Sequence, residues 1–392
     1  MKKILVPIIL TILLISLSVA VKDTSAQVST ITIYSDGSVG PASGGVERDG
    51  NIYTLTGDLY FTTIEIQKND IILDGANHTL HGPGVPIHTD PPDDLKDYAA
   101  ISLMASNVTI TNFHIANWTA GIYGAYNNNT ITANEFSDNA RAIALYATDY
   151  TISKNIIQQS GSGIYIKTGA LTPTGDNNRI INNHIVNNAW AFNIISGNGT
   201  TITQNNVTNN DVILFISRLS QTWAGYHLIY MNNFIDNTQV LDFHIDQPGV
   251  SGVVTLSPVG QWDNGTFGNY WSDYLTKYPN ASESDNLGIG NTPYLFESSA
   301  IPWSRGTPDG TFTEGITIFG QSIDHYPLMQ VCDISTETET ETFSPLTVPP
   351  SGTSELPDNL PTGYMATAVL VCILAGIVLI AAIYRIKRRP SQ

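Results

Sequence analysis

The middle of the chain repeats one pattern of apolar positions. The first position of the repeat is occupied by Ile110, Ile131, Ile152, Ile180, Ile202 and Ile229. Five positions later stand Ile115, Phe136, Ile157, Ile185, Val207 and Phe234. Twelve positions after the first stand Ile122, Ile143, Ile164, Phe192, Leu214 and Leu241. Three columns that keep this register predict a repeat of short strands, because helices would need longer runs with a 3.6-residue period.

The length of the repeat selects the architecture. Units of about 21 residues favour an all-β parallel β-helix, a solenoid whose coils stack at about 4.8 Å. A leucine-rich repeat has a similar length but needs Leu in fixed positions that these units lack. Two longer connections, residues 165–179 and 215–228, are predicted to bulge from one corner. Ile101 extends the third column to an earlier coil, preceded by the long loop of residues 83–100.

A polar column accompanies the apolar ones. Three positions after the first column stand Phe113 and then Asn134, Asn155, Asn183, Asn205 and Asn232. Stacked Asn side chains can hydrogen-bond amide to amide along a solenoid and tolerate the left-handed backbone of a tight corner. We therefore predict a structural Asn ladder. A catalytic role is disfavoured, since amides do not exchange protons at neutral pH.

Aromatic residues concentrate after the coils, in the stretch WDNGTFGNYWSDY. Trp262, Tyr270, Trp271 and Tyr274 are the candidate ligand-binding residues of the chain. Large rings there can form a lid over the last coil, covering an otherwise bare core. They can also form a platform on which a sugar stacks. The lid is the favoured interpretation, and the platform remains its alternative.

The two ends of the chain predict export and anchoring. Lys2 and Lys3 precede an apolar run, as in a signal peptide, and the last apolar stretch is followed by Arg385, Lys387, Arg388 and Arg389. An uncleaved N-terminal anchor and a buried soluble C-terminal helix are the alternatives. The predicted division is a signal peptide at 1–26, a lead-in at 27–50, β-helix coils at 51–245, a C-terminal cap at 246–332, a Thr/Glu/Pro-rich stalk at 333–362, a transmembrane helix at 363–384 and a basic cytoplasmic tail at 385–392.

Composition narrows the class of partner. The chain has 392 residues and a net charge of −17, which argues against nucleic acid because phosphate neutralisation needs clustered Lys and Arg. Cys332 lies in the predicted cap and Cys372 in the membrane span, so no disulfide is expected within the ectodomain. The candidate glycosylation sites are Asn77, Asn107, Asn117, Asn128, Asn198, Asn206, Asn264 and Asn280.

Acidic residues offer little catalytic chemistry. Two residues after the second column stand Asn117, Asp138, Gln159, Asn187, Asn209 and Asp236, so no two adjacent coils present acids there. We name no catalytic residue, and the spacing of the acids leans against an enzyme. The candidate metal ligands are Asp90, Asp93, Asp94 and Asp97 in the long loop, and Asp285, with Ca²⁺ as the possible ion. The alternatives are a solvated acidic loop, or a calcium-dependent active site at that loop.

Three segments carry a resemblance to a known family. Gly268–Tyr274 reads GNYWSDY, Thr292–Tyr294 reads TPY, and Tyr326–Met329 reads YPLM. In these segments the chain resembles the NosD-like right-handed parallel β-helix repeat family, which includes exported archaeal surface proteins. The resemblance implies a right-handed helix outside the cell and little about chemistry. Where the family has an acidic Gly-rich turn, this chain reads SDNLGIGNTPY, which puts a cation there in doubt.

The predicted function is that of a single-pass membrane protein with an extracellular ectodomain that binds glycans or other envelope components, or has a structural role at the cell surface. One alternative is a polysaccharide lyase or hydrolase. The other is a NosD-like accessory factor for assembly of a copper centre. Against copper, the His residues are scattered and the ectodomain Met residues are Met104, Met231 and Met329 alone.

Overall fold

The computed structural model describes the coils and most of the segment that follows them. The described residues are 28–41, 45–84, 95–167, 176–196, 198–218, 227–245, 253–255, 260–284, 287–297, 317–319 and 321–334. All of them lie in one compact unit, Met1–Glu339, and none in the second, Thr340–Gln392. The predicted signal peptide, membrane span and cytoplasmic tail lie outside these residues, as does the stalk beyond residue 334.

No helix within the described part of the chain is both long enough and apolar enough to cross a membrane.

Three long sheets form the body. Sheet A has ten strands, in the order Val39–Gly40, Ser29–Ile33, Thr62–Ile66, Ala99–Leu103, Ala120–Gly124, Arg141–Leu145, Ser162–Lys167, Trp190–Ser196, Val212–Arg218 and Gln239–Ile245. Sheet B has nine, in the order Val46–Asp49, Ile52–Leu55, Ile72–Asp74, Thr109–Thr111, Thr130–Thr132, Thr151–Ser153, Arg179–Ile181, Thr201–Thr203 and Leu228–Tyr230. Sheet C has nine, in the order Leu59–Tyr60, Thr79–His81, His114–Ala116, Glu135–Ser137, Ile156–Gln158, His184–Val186, Asn206–Thr208, Asn233–Ile235 and Tyr270–Trp271.

The chain visits the sheets in the order B, C, A once per coil, and successive coils pair in parallel. Antiparallel strands occur at the N-terminal edge, where Val39–Gly40 borders sheet A and Val46–Asp49 borders sheet B. The other short elements are the pairs Val253–Thr255 with Thr317–Phe319, Glu283–Ser284 with Ile289–Gly290, and Tyr294–Glu297 with Gln321–Asp324, the 3₁₀ turn Lys96–Tyr98 and the α-helix Tyr274–Lys277. The protein is nearly all β, as the repeat predicts.

The three predicted apolar columns are confirmed residue for residue. Ile131 pairs with Ile152 and Ile152 with Ile180 in sheet B, and both other columns keep the same register in sheets C and A. These side chains are buried in one continuous core. Burial of a full apolar side chain contributes about 1.5–3 kcal/mol, so the columns dominate the stability of the body.

The Asn ladder is confirmed, but one detail of its geometry was wrong. In a typical coil, Asn155 Nδ2 donates to Asn183 Oδ1 at 3.0 Å and to the Ile131 carbonyl at 2.9 Å. The residue with positive φ is the one before the ladder position, for example Lys154 at 57°. The ladder Asn itself must keep a conformation that lets its amide reach both neighbouring coils, and the turn is made one residue earlier.

The parallel stacking begins and ends outside residues 51–245. Ser29–Ile33 pairs in parallel with Thr62–Ile66, so the first strand of sheet A lies in the predicted lead-in. Tyr270–Trp271 pairs in parallel with the Asn233–Ile235 strand, so the predicted cap supplies the last strand of sheet C. Both inserts connect sheet A to sheet B. Residues 168–175 and 219–226 of these inserts lie outside the described residues.

Candidate functional site

The aromatic stretch closes the C-terminal end of the core. Trp262, Trp271 and Tyr274 are 1%, 2% and 1% exposed, whereas Tyr270 is half-buried. The Trp271 ring lies 4.3 Å from the ring of Tyr294, at an interplanar angle of 1°, and 4.7 Å from the ring of Phe234 in the last full coil. Protein atoms cover the three buried rings, so no face is left open to a sugar in this conformation. This geometry favours the lid interpretation.

A buried carboxylate lies under this lid. Asp324 is 0% exposed and comes from the strand just before the YPLM segment. Its Oδ2 accepts hydrogen bonds from the backbone N–H of Asn269 at 2.7 Å and from Trp271 Nε1 at 2.9 Å, and its Oδ1 accepts the N–H of Tyr326 at 3.1 Å. Burial raises the pKa of Asp324 to about 7, although the bonds from Trp271, Asn269 and Tyr326 favour the charged form.

Asp324 also terminates the Asn ladder. Asn232 Nδ2 donates to Asn269 Oδ1 at 3.0 Å, so Asn269 is the next member of the ladder, and its own Nδ2 lies 3.4 Å from Asp324 Oδ2. The ladder thus runs from Asn134 to a carboxylate that carries the final acceptor. Chains of hydrogen bonds polarise one another, so an acceptor at the end of the ladder strengthens the bonds behind it.

Gly268 is required for this closure. A Cβ atom built at Gly268 would lie 1.7 Å from Asp324 Oδ1, far inside van der Waals contact. The neighbouring Asp263 is also buried, and its Oδ2 lies 2.9 Å from Nδ1 of the more exposed His325. Sequence analysis missed Asp263, Asn269, Asp324 and His325 as one group. The available signal was the aspartate directly before the His-Tyr-Pro-Leu-Met run.

A second aromatic group lies on the outer face of sheet A. Tyr123, Tyr146 and Tyr165 stand on successive coils, with ring centroids 5.2 Å and then 5.8 Å apart. Trp190 and Phe215 stand on the next two coils with rings 5.1 Å apart, and Trp190, which pairs with Ser162, lies three residues to one side of the Tyr165 position. Tyr165 is buried and the other four are half-buried. These rings were not predicted from the sequence, because they lie between the apolar columns at positions that point outward in any alternating strand.

Polar side chains lie among these rings. The Arg141 guanidinium carbon is 3.8 Å from the centroid of the Tyr165 ring. Asn193 follows Tyr165 in the register of sheet A, is 6% exposed and donates to Ser162 Oγ at 3.2 Å. Its Oδ1 is buried without a hydrogen-bond partner. Buried acceptors normally have a hydrogen-bond donor, so Asn193 Oδ1 marks a position at which a water molecule or a ligand hydroxyl would donate one.

The long loop reaches the same face. Leu95 is fully buried against Ala99, Ala120, Ala144 and Tyr165, which belong to the outer surface of sheet A. Asp97 is exposed in the 3₁₀ turn that follows. The other predicted metal ligands, Asp90, Asp93, Asp94 and Asp285, lie outside the described residues. The end of the loop therefore lies over the face that carries the rings.

The carboxylates on this face are far apart. Glu65 and Asp242 occupy one outward column of sheet A, seven pairings from each other. At about 4.8 Å per coil the separation is about 34 Å, whereas paired catalytic carboxylates stand about 5 to 9.5 Å apart. Asp138 and Asp236 occupy the position two residues after the second column, which is the left-handed corner that follows each sheet C strand.

The described residues contain no group of three His, Cys, Asp or Glu side chains that would hold a metal ion. His78 pairs with Asp58 at 3.4 Å, and His114 pairs with Glu135 at 3.5 Å. His227 is buried, and burial lowers its pKa to about 4. Within this part of the chain the donor set does not fit a copper centre, which needs several soft or imidazole ligands together.

Comparison with known families supports the architecture. Residues 95–276 match the family model NosD, described as periplasmic copper-binding protein (NosD). These residues form a NosD-like parallel β-helix. The match covers the coils from residue 95 onward and the GNYWSDY strand, and the family it matches is described as periplasmic. No curated protein matches the chain.

Proposed function

We propose that the chain is an exported β-helix protein, anchored by its C-terminal segment, that binds an envelope polysaccharide along the outer face of sheet A. The observation that carries the proposal is the line of rings from Tyr123 to Phe215. Successive rings stand on successive coils, so the line follows the solenoid axis. An extended glycan has apolar sugar faces at a similar repeat, and aromatic side chains bind such faces by stacking.

Polar groups beside the rings support the same ligand class. The unpartnered Asn193 Oδ1 is an acceptor for a sugar hydroxyl. Arg141 and Lys167 add positive charge to this face, and the two acids of its outward column, Glu65 and Asp242, stand at opposite ends. Carbohydrate sites combine stacking rings with a few placed polar groups in this way. The wide separation of Glu65 and Asp242 favours binding over cleavage.

The test is glycan binding by the full-length protein in detergent, measured on an array of neutral and acidic polysaccharides. We expect Trp190→Ala and Phe215→Ala each to weaken binding about tenfold or more, which corresponds to about 1.4 kcal/mol. Ile156→Ala is the matched control, because Ile156 is an exposed apolar residue on the outer face of sheet C. Equal affinity of all three variants would contradict this surface, and absence of any glycan binding would contradict the function.

Cleavage remains the alternative for the long loop. The same polysaccharides, incubated with the protein with and without Ca²⁺, are expected to release no reducing or unsaturated ends. Calcium-dependent release that disappears in an Asp93→Ala/Asp94→Ala variant would move the function to an enzyme with its site at that loop.

A copper-related role is the second candidate, favoured by the description of the matching family. It predicts tight, stoichiometric Cu(I) or Cu(II) uptake by the metal-free protein. A polysaccharide-binding protein without a ligand cluster should take up copper only weakly. A calorimetric titration separates the two, and stoichiometric binding would favour the accessory role.

A further inference from the structure

The eight Asn-x-Ser/Thr sequons occupy unlike positions in the fold. N-glycosylation joins a bulky oligosaccharide to Asn Nδ2, so an acceptor must be exposed and its amide must be free of structural contacts. The sequence alone treats all eight as equal. Their side-chain exposure and hydrogen bonds divide them into two sets of four.

Four sequons fit poorly, two because the Asn Nδ2 group donates to the neighbouring coil and two because the Asn residue is half-buried. Asn107 Nδ2 donates to Asp70 Oδ1 at 2.9 Å, and Asn128 Nδ2 donates to Asn107 Oδ1 on the neighbouring coil. Asn206 is half-buried within a strand of sheet C, and its Oδ1 accepts from Asn233 Nδ2 at 2.7 Å. Asn198 is half-buried, and its backbone N–H donates to Asp176. A glycan at Asn107 or Asn128 would remove a side-chain hydrogen bond between coils, whereas Asn198 and Asn206 are too enclosed by the coils to be reached.

The other four sequons are open. Asn77 and Asn117 are exposed at corners, with φ of 61° and 64°, beside sheet C. Asn280 is exposed in the turn after the short α-helix. Asn264 is exposed, and only its Oδ1 is used, accepting the backbone N–H groups of Thr266 and Phe267. The Nδ2 group of each is therefore available without breaking a contact of the described fold.

We propose that Asn77, Asn117, Asn264 and Asn280 are N-glycan acceptors and that the other four sequons are not. The donor is a lipid-linked oligosaccharide phosphate. Nδ2 forms a bond to the anomeric carbon, the bond from that carbon to the phosphate oxygen breaks, the lipid phosphate leaves with the electron pair, and one amide proton passes to water. This inference rests on the proposed export, because the transfer takes place outside the cytoplasm.

The four proposed acceptors lie away from the proposed binding face. None of the four acceptors lies on the outer face of sheet A or at the corner that joins sheet A to sheet B. That corner contains Asn107, Asn128 and Asn198 instead, all in the excluded set. Glycans at the four acceptors would cover the sheet C side and the C-terminal end, and would leave the line of rings accessible.

The test is glycopeptide mass spectrometry on the full-length protein purified from its own host membranes. We expect the mass of one glycan at each acceptor and unmodified peptides at the four excluded sequons. Asn280→Gln should remove one glycan mass from the intact protein, whereas Asn128→Gln, the matched control, should leave the glycan mass unchanged. Glycans at Asn107, Asn128, Asn198 or Asn206, or an unmodified residue at any of the four acceptors, would overturn the assignment.

A separate measurement distinguishes this inference from the proposed function. A variant with Gln at all four acceptors should bind polysaccharide with unchanged affinity if the outer face of sheet A is the binding surface. Glycan occupancy without polysaccharide binding would contradict the function alone. Binding by a protein that carries no glycan would contradict the acceptor assignment alone.

Discussion

The coil body and the C-terminal closure, the segment that covers the end of the core, both bury apolar side chains, but they are stabilised by different kinds of contact. In the body, each coil repeats the contacts of its neighbours, so Ile152 and Asn183 each have several equivalents along the axis. The closure depends on residues that occur once, among them Gly268, Trp271 and Asp324. A repeated contact is supported by neighbours on both sides, whereas a unique contact has no substitute. The comparison predicts that substitutions in the closure cost more than equivalent substitutions in the body.

The largest effect is expected for Trp271→Ala. The substitution removes a ring buried between Phe234 and Tyr294, and also a donor to Asp324, so it should lower the free energy of unfolding by about 3–5 kcal/mol. Denaturant unfolding measures the loss, and hydrogen exchange should show the C-terminal coils opening first. A Trp271→Ala protein that keeps its stability but loses glycan binding would instead favour the sugar platform.

Gly268→Ala tests the close approach in the same region. The added methyl group meets the Asp324 carboxylate and should cost about 3 kcal/mol through displacement of the strand that carries it. Gly57→Ala is the control, because a Cβ atom there meets nothing within 4 Å. Thermal unfolding of the two variants should differ clearly, and equal melting temperatures would contradict the required contact.

Asn183→Ala probes the repeated ladder. It removes the acceptor for the backbone and side-chain amides of Asn155 and leaves the carbonyl of Ile152 without its donor, at about 1–3 kcal/mol for an unsatisfied buried group. The loss should be smaller than for Trp271→Ala because the coils on both sides remain paired. A larger loss in urea unfolding would reverse the comparison between body and closure.

The closure should also respond to pH. The pKa of Asp324 is raised in the folded state, so its contribution to stability is complete below the unfolded value near 4 and is lost as pH rises through about 7. Asp324→Asn keeps the size of the side chain and removes the titration. The stability of the native protein relative to this variant should therefore fall between pH 4 and 7, as measured by chemical unfolding. A difference that stays constant or rises over that range contradicts the assignment.

The smallest effect is expected for a substitution that stabilises the coil body. Asn178 and Thr200 stand on successive coils at the A–B corner, and both Asn178 Nδ2 and Thr200 Oγ1 are buried without partners. Thr200→Asn should restore an acceptor for Asn178 and raise stability by about 0.5–1.5 kcal/mol. A higher melting temperature checks this, and Thr208→Asn, on the half-buried outer face of sheet C, should give no comparable gain.

Much of the body could be predicted because its interactions repeat. Ile131, Ile152 and Ile180 occupy equivalent positions at nearly regular spacing, and a period-2 strand allows one buried face, so the apolar columns already define the pairing. The ladder from Asn134 to Asn232 followed from the same spacing. Its extension to Asn269 was missed because the connection before it is longer than those between the other coils.

The candidate sites were less predictable because their residues are adjacent only after folding. Tyr123 and Phe215 belong to different repeats, and no spacing rule distinguishes an outward ring from an outward threonine. The burial of the described acids also could not be read from their positions in the sequence. Asp324 is buried by a strand pair that no sequence pattern predicts, whereas Asp97 is exposed in a loop.

The sequence by itself determined the repeat, the parallel stacking and the Asn ladder, because those features depend on residue type at a nearly constant interval. Only the tertiary structure decided that Trp262 and Trp271 lie inside the core, that Asp324 ends the ladder, and that rings align on sheet A. Burial and long-range contact are set by the packing of segments distant in sequence. Asn269 and Asp324, fifty-five residues apart, share a hydrogen bond that no local pattern encodes.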